Sequence, residues 1–206
     1  MPLSRSQLLV LLHTLTRVKA SFWITGGVAV DFLVGRWTRE HKDLDVIALL
    51  PDRSRLEDEL IALGFQKTFD SGWTTRWSFD TGSGYSPDLE VIFLKPLVPN
   101  SGTLVIAPGD PAGATPGRYP LPPGTLDPAR RASLDGMSFC ICSAEYERWA
   151  RLRSTTLVPG RRLEPKIEHD LRLLEPLLPP QTGATCCWPA RPLKIQRLES
   201  TLIRAT

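Results

Sequence analysis

Apolar residues recur at helical spacing near the start, where Leu8, Leu11, Leu12, Leu15 and Val18 follow Ser4-Arg5-Ser6-Gln7, a serine and glutamine spaced as a capping box. This predicts an opening helix. Phe22-Trp23-Ile24 is a short apolar run ending at Gly26-Gly27, and Val28 to Val34 then reads as a helix stopped by Gly35. Alternation follows, with Asp43, Asp45, Ile47 and Leu49 on one side of a strand and Leu44, Val46 and Ala48 on the other. Pro51-Asp52 can start a third helix that turns Leu56, Leu60, Ile61 and Leu63 inward and ends at Gly64. Strands are predicted near Phe65 to Phe69 and Trp73 to Phe79, the second rich in β-favouring Trp and Thr. After the turn residues Ser83 to Pro87, Asp88 to Leu94 repeats the earlier pattern, with Asp88, Glu90, Ile92 and Leu94 sharing a face.

Between Lys95 and about Pro128 prolines and glycines are dense, leaving room for a short strand at Thr103 to Ala107 in otherwise irregular chain. Ser143-Ala144-Glu145 opens a helix running to about Arg153. Arg161 to Leu178 carries another, with Ile167, Leu171, Leu174 and Leu178 on one stripe. Beyond Pro179 no period is evident until a weak basic stretch from Leu193 to Arg204, and no segment repeats another. A length of 206 residues suits one core with a small appendix. The expected organisation is α+β: a small mixed sheet flanked by helices over residues 1–135, in which 95–130 is a Pro/Gly-rich loop region, then a helical appendix at 136–178 and a loosely ordered tail at 179–206.

Composition narrows the function classes without naming one. Hydrophobic residues make up 42% of the chain and charged ones 23%, a globular rather than a disordered balance. A net charge of +3 from 25 basic and 22 acidic residues is too even for a nucleic-acid coat, so any anion site must be local. The run Leu8 to Leu12 is too short to span a membrane and is followed by His13, Arg17 and Lys19; a cytoplasmic protein with no membrane partner is expected. Four cysteines, at Cys140, Cys142, Cys186 and Cys187, match neither a zinc site nor a disulfide framework and read as free thiols.

Asp43 and Asp45 are the chemically informative pair. Two apart on a strand they point the same way, and such a like-charge pair is uncomfortable unless a cation lies between them. Magnesium suits carboxylate oxygens and phosphate substrates. An isolated Asp-x-Asp is more often a solvated rim, but Gly26-Gly27 precedes this one and opens a helix, where close backbone approach and exposed amides can hold a phosphate.

Gly26-Gly27-Val28-Ala29-Val30-Asp31, followed by Gly35-Arg36-Trp37-Thr38-Arg39-Glu40-His41-Lys42-Asp43-Leu44-Asp45-Val46, resembles the signature of the aminoglycoside and lincosamide nucleotidyltransferases of the polymerase-β-like superfamily. The glycine turn, the Gly-Arg-x-Thr-Arg-x-His linker and the Asp-x-Asp strand stand in that family's order and spacing. The resemblance implies the nucleotidyltransferase fold and transfer of a nucleoside monophosphate, AMP from ATP, to a hydroxyl of a small molecule such as an aminoglycoside or lincosamide antibiotic. It also implies Mg2+ on Asp43 and Asp45, with a third carboxylate from the neighbouring strand that binds metal or draws the hydroxyl proton. Asp88 is the choice for that acid and Glu90, on the same face, its rival; Pro87 departs from the family pattern and suggests a strand start. Gly26, Gly27, Arg39 and Lys166 are the expected nucleotide contacts. Arg39 can equally hold the linker in a salt bridge, Arg36 reads as a surface charge, His41 as ordering the turn and Asp31 as packing near the helix end. Lys166 and Asp170 lie four apart on a helix and are similar to a recurring Lys and Asp of the family; a solvated ion pair between them is the simpler reading.

Two other functions fit the same residues. A nucleotidyltransferase acting on protein or RNA, as in toxin-antitoxin systems, needs an open or basic groove, for which Arg151, Arg153, Arg161 and Arg162 are candidates. A small-molecule enzyme for a cationic acceptor needs acids, which Asp70, Asp80, Glu145 and Glu147 can supply. The third reading, a non-catalytic nucleotide-binding module, has no physical reason to keep closely spaced carboxylates.

Overall fold

In the computed structural model, residues 3–80, 88–96, 104–106, 121–122, 124–156 and 163–179 are described. The opening helix α1 (Arg5–Leu15) carries the expected capping box at Ser4 and Gln7 and buries Leu8, Leu11, Leu12 and Leu15. Strand β1 (Phe22–Thr25) runs straight into α2 (Gly26–Val34), which ends at Gly35 in the left-handed region at φ 73°. After the linker come β2 (Asp43–Leu49), a 3-10 turn at Leu50–Asp52 and α3 (Arg53–Ala62). Strands β3 (Gln66–Asp70), β4 (Thr74–Ser78), β5 (Asp88–Pro96) and β6 (Leu104–Ile106) follow close to their expected bounds. The turn at 83–87 lies outside the described residues, as do Cys186, Cys187 and the tail from 180 onward.

The sheet is mixed, in the order β1-β2-β5-β4-β3 with β6 beside β5; β2 and β5 run parallel and the other pairs antiparallel. Alternation then sorts the side chains. Leu44, Val46, Ala48, Leu89, Val91, Phe93 and Trp77 enter one core with the apolar stripes of α1, α2 and α3. Ile47 and Leu94 face the other way, against Trp23, Cys142 and Tyr146. The strand starts on this second face carry Asp43, Asp45, Asp88 and Glu90. Truncating a leucine of the first core to alanine costs about 2–5 kcal/mol, so the main layer supplies a rigid floor for the acids.

Residues 131–140 form a hairpin that has no counterpart among the expected elements, β7 (Arg131–Leu134) and β8 (Met137–Cys140), turning at Asp135 and Gly136 with φ 48° and 79°. It docks on β1, where Cys142 N–H donates to Ile24 O at 2.9 Å. Its turn spans the boundary expected at 135/136. Helix α4 (Ala144–Thr156) follows, and α5 (Pro165–Leu174) begins later than the Arg161 expected from the stripe because Pro165 occupies its first turn; a 3-10 turn closes it at Glu175–Leu177. Val30, Ala144 and Leu174 pack α2, α4 and α5 together. Among the described residues no helix is long and apolar enough to cross a membrane.

Candidate active site

The site is built around the point where β1 becomes α2. Gly26 has φ 72°, and a Cβ there would lie 2.0 Å from Asp45 Oδ2; one on Gly27 would lie 2.3 Å from Arg39 Nη2 and 2.6 Å from His41 Nδ1. Glycine is therefore required at both positions, because Asp45 packs over the first and the linker over the second. The linker is fixed by Asp31, whose carboxylate accepts from Thr38 N–H, the Thr38 hydroxyl and the His41 ring at 2.6 Å. Arg39 Nη1 approaches His41 Nδ1 at 3.2 Å, and since a guanidinium only donates, Nδ1 accepts and Nε2–H donates to Asp31. His41 thus orders the turn, as its position suggested, and Asp31, expected to pack near the helix end, anchors the linker.

Strand register then gathers the acids. Asp43 lies opposite Asp88 and Asp45 opposite Glu90, two neighbouring rungs on one face. Asp43 and Asp88 are exposed on the outer rung, while Asp45 and Glu90 are half-buried on the inner one. Burial first, and then the negative charges of Asp43, Glu90 and Glu147, push the Asp45 carboxyl well above the ordinary aspartate range. Glu90 has a counter-ion on its far side, Arg76, whose Nε donates to Glu90 Oε2 at 2.8 Å.

Behind the glycine turn runs a chain of buried charges. Glu147 on α4 accepts from the Thr25 hydroxyl at 2.7 Å, Gly26 N–H at 3.2 Å and Arg151 Nη1 at 2.6 Å. Arg151 Nε and Nη2 donate to Asp170 Oδ2, and Arg39 Nε and Nη2 donate to the two oxygens of Asp170 at 3.1 Å each. Burial raises Asp170, but its bonds to Arg39 and the charge of Arg151 more than offset this and hold the carboxyl below its usual range. For Glu147 burial prevails over Arg151 and Thr25, and the carboxyl sits above its usual range. Burial also pushes the Cys142 thiol up, in keeping with a free, unreactive cysteine.

These elements enclose a cavity of about 650 Å³ whose wall includes Gly26, Gly27, Arg39, Asp43, Asp45, Glu90, Glu147 and Lys166, with Ile92, Tyr146, Ala150 and Ile167 as its apolar part. Asp88 is not in its wall. Among the described residues no three His, Cys, Asp or Glu side chains are already drawn to one point.

Several expectations change. Lys166 does not pair with Asp170: its ammonium lies 3.3 Å from Glu164 on an exposed side chain, because both Asp170 oxygens are taken by arginines. Arg39 is bound to Asp170 and also faces the cavity. Arg151 belongs to no open basic groove, being buried between Glu147 and Asp170, and the side chains of Arg153, Arg161 and Arg162 lie outside the described residues. Of the proposed acceptor acids, Glu147 lines the cavity, but it is saturated by three donors; Asp70 is on β3 with Arg53 and Lys67. The structural weight of Glu147, Arg151 and Asp170 went unseen, although Glu147 and Arg151 are spaced as a helical ion pair.

The fold is shared with antibiotic-modifying enzymes. The chain is similar to the lincosamide antibiotic adenylyltransferase LnuA solved with lincomycin (17% identity, TM-score 0.61, 86% of this chain and 100% of that one). It is also similar to ANT(2'')-Ia in complex with adenylyl-2''-tobramycin (20% identity, TM-score 0.64, 84% and 90%). A third likeness is to an antigenic nucleotidyltransferase-like protein from Paracoccidioides brasiliensis (19% identity, TM-score 0.54, 89% and 82%). No curated protein matches the chain. The sequence profile of the aminoglycoside-2''-adenylyltransferase family matches residues 7–174, and with the glycine turn, the ordered linker and the acid rungs in place the chain belongs to that family of nucleotidyltransferases.

Proposed function

We propose that this enzyme transfers AMP from ATP, with magnesium, to a hydroxyl of a cationic small molecule of the aminoglycoside type. The observation that carries the reading is the pair of rungs, Asp43 with Asp88 and Asp45 with Glu90, placed against a glycine turn at the edge of a cavity. Asp43 and Asp45 would hold Mg2+, and their all-oxygen, like-charged chemistry fits that ion. Bound there, magnesium supplies charge neutralisation for the triphosphate.

The chain's own groups position the rest. Lys166 and Arg39, both in the cavity wall, face the phosphates; Lys166 is the more exposed, whereas Arg39 is oriented by Asp170. The Gly26 amide is engaged by Glu147, so the glycine turn contributes mainly by letting Asp45, Arg39 and His41 come close. The acceptor oxygen attacks the α-phosphorus and its proton passes to a carboxylate. The bond to the bridging oxygen breaks, and pyrophosphate leaves with that electron pair. Asp88 is the proposed proton acceptor, since it stands on the exposed outer rung beside Asp43 whereas Glu90 is bound to Arg76.

In the cavity wall carboxylates outnumber lysines and arginines seven to four, a balance that favours a cationic acceptor over an RNA backbone. The test is to incubate the protein with Mg2+ and each nucleoside triphosphate against aminoglycosides, lincosamides and cell extract, following acceptor mass. An aminoglycoside heavier by one AMP is the expected product; modification of RNA or protein alone would overturn the acceptor class.

A further inference from the structure

One row of the sheet crosses four strands as Asp45, Glu90, Arg76 and Phe69, each the register partner of the next. Arg76 is held on both sides within that row. Its Nε is 2.8 Å from Glu90 Oε2, and its guanidinium carbon lies 5.6 Å from the centre of the Phe69 ring. We propose that Arg76 is a built-in counter-cation that withholds Glu90 from the divalent ion and so confines the metal to Asp43 and Asp45. The inference rests on the reading of Asp43 and Asp45 as the metal pair.

The argument is one of charge and exchangeability. Four carboxylates on two rungs attract cations, but an arginine does not lose its proton, and drawing Glu90 away from it leaves its charge, which also lies over a ring, facing the incoming ion. The Asp43 and Asp88 charges act on Arg76 as well, after that of Glu90, so it belongs to the same electrostatic cluster as the acids. Arg76 and Glu90 together are neutral, and the remaining strand acids carry the uncompensated charge. As a stabilising contact the pair counts for little, since the Arg76 side chain is 56% exposed. Its effect should instead appear in metal affinity.

The experiment is calorimetric titration of the full chain with Mn2+, without nucleotide, for wild type, Arg76→Met, Glu90→Gln and the double variant. Arg76→Met should bind about tenfold more tightly, because Glu90 is released and a nearby positive charge removed. Glu90→Gln alone should bind more weakly, because it uncovers the arginine. The double variant should return to wild-type affinity. If Glu90 is itself a ligand in the wild type, the double variant, which has lost it, binds more weakly than wild type, and the inference is overturned; an unchanged Arg76→Met overturns it too. Wild-type protein that binds no Mn2+ would instead sink the metal reading, and this inference with it. Melting curves that stay within a few degrees of wild type show that the variants are folded.

Discussion

Replacing Gly26 with alanine should abolish turnover while leaving the protein folded. The new methyl would lie 2.0 Å from Asp45 Oδ2, and restoring an ordinary contact of about 3.4 Å requires the carboxylate to move by about 1.4 Å. Magnesium demands oxygen ligands at about 2.0–2.1 Å in near-octahedral geometry, and a misplacement of about 1 Å at a reacting centre costs on the order of a hundredfold in rate. The backbone cost is separate, about 1–2 kcal/mol for a side chain at φ 72°. For a chain of this size that lowers the melting temperature by roughly 2–8 °C. Gly35→Ala is the control, because its φ is 73° but nothing lies within 4 Å of the added methyl: it should melt early and remain active. Pyrophosphate release and thermal melts on both variants separate the two effects. A Gly26→Ala enzyme that turns over like wild type would refute the close packing of Asp45 on the turn as a requirement for activity.

The Asp45 carboxyl is raised in the folded protein, so its ionisation opposes folding: the contribution of this one group to metal-free stability is greatest below the ordinary aspartate value of 3.8 and is lost as pH rises through the raised one. Asp45→Asn lacks that slope and should melt above metal-free wild type at neutral pH; melting at several pH values checks this, and a lower melting temperature there would contradict it. Asp170→Ala leaves Arg39 and Arg151 without their shared carboxylate and should cost about 3–5 kcal/mol in denaturant titration, against near neutrality for a solvated helix pair.

Much of this architecture is legible from periodicity because α1 buries a single stripe, because β2 and β5 alternate over their first four residues, and because glycines at Gly35 and Gly64 end helices in the left-handed region their backbone allows. The acid rungs were foreseeable in part: alternation puts Asp43, Asp45, Asp88 and Glu90 on outward faces, but only the parallel register decides that Asp45 meets Glu90. The hairpin at 131–140 has a local signal as well. Asp135-Gly136 between two alternating runs is a strong turn signal, but each run is only four residues long, too short for its alternation to stand out. Nothing local announces the chain from Glu147 through Arg151 and Asp170 to Arg39, whose last link joins residues 131 positions apart. Charged residues on helices are usually solvated, and only the packing of α4 and α5 on α2 takes these out of water.

The measurement to make is metal-dependent pyrophosphate release by wild type, Asp43→Asn and Asp45→Asn in the presence of an aminoglycoside. Wild type should require Mg2+, and each variant should fall by at least about a hundredfold while keeping its fold. Turnover by either variant at the wild-type rate, or turnover by wild type in excess chelator, would contradict the assignment of these two carboxylates as the metal-holding pair.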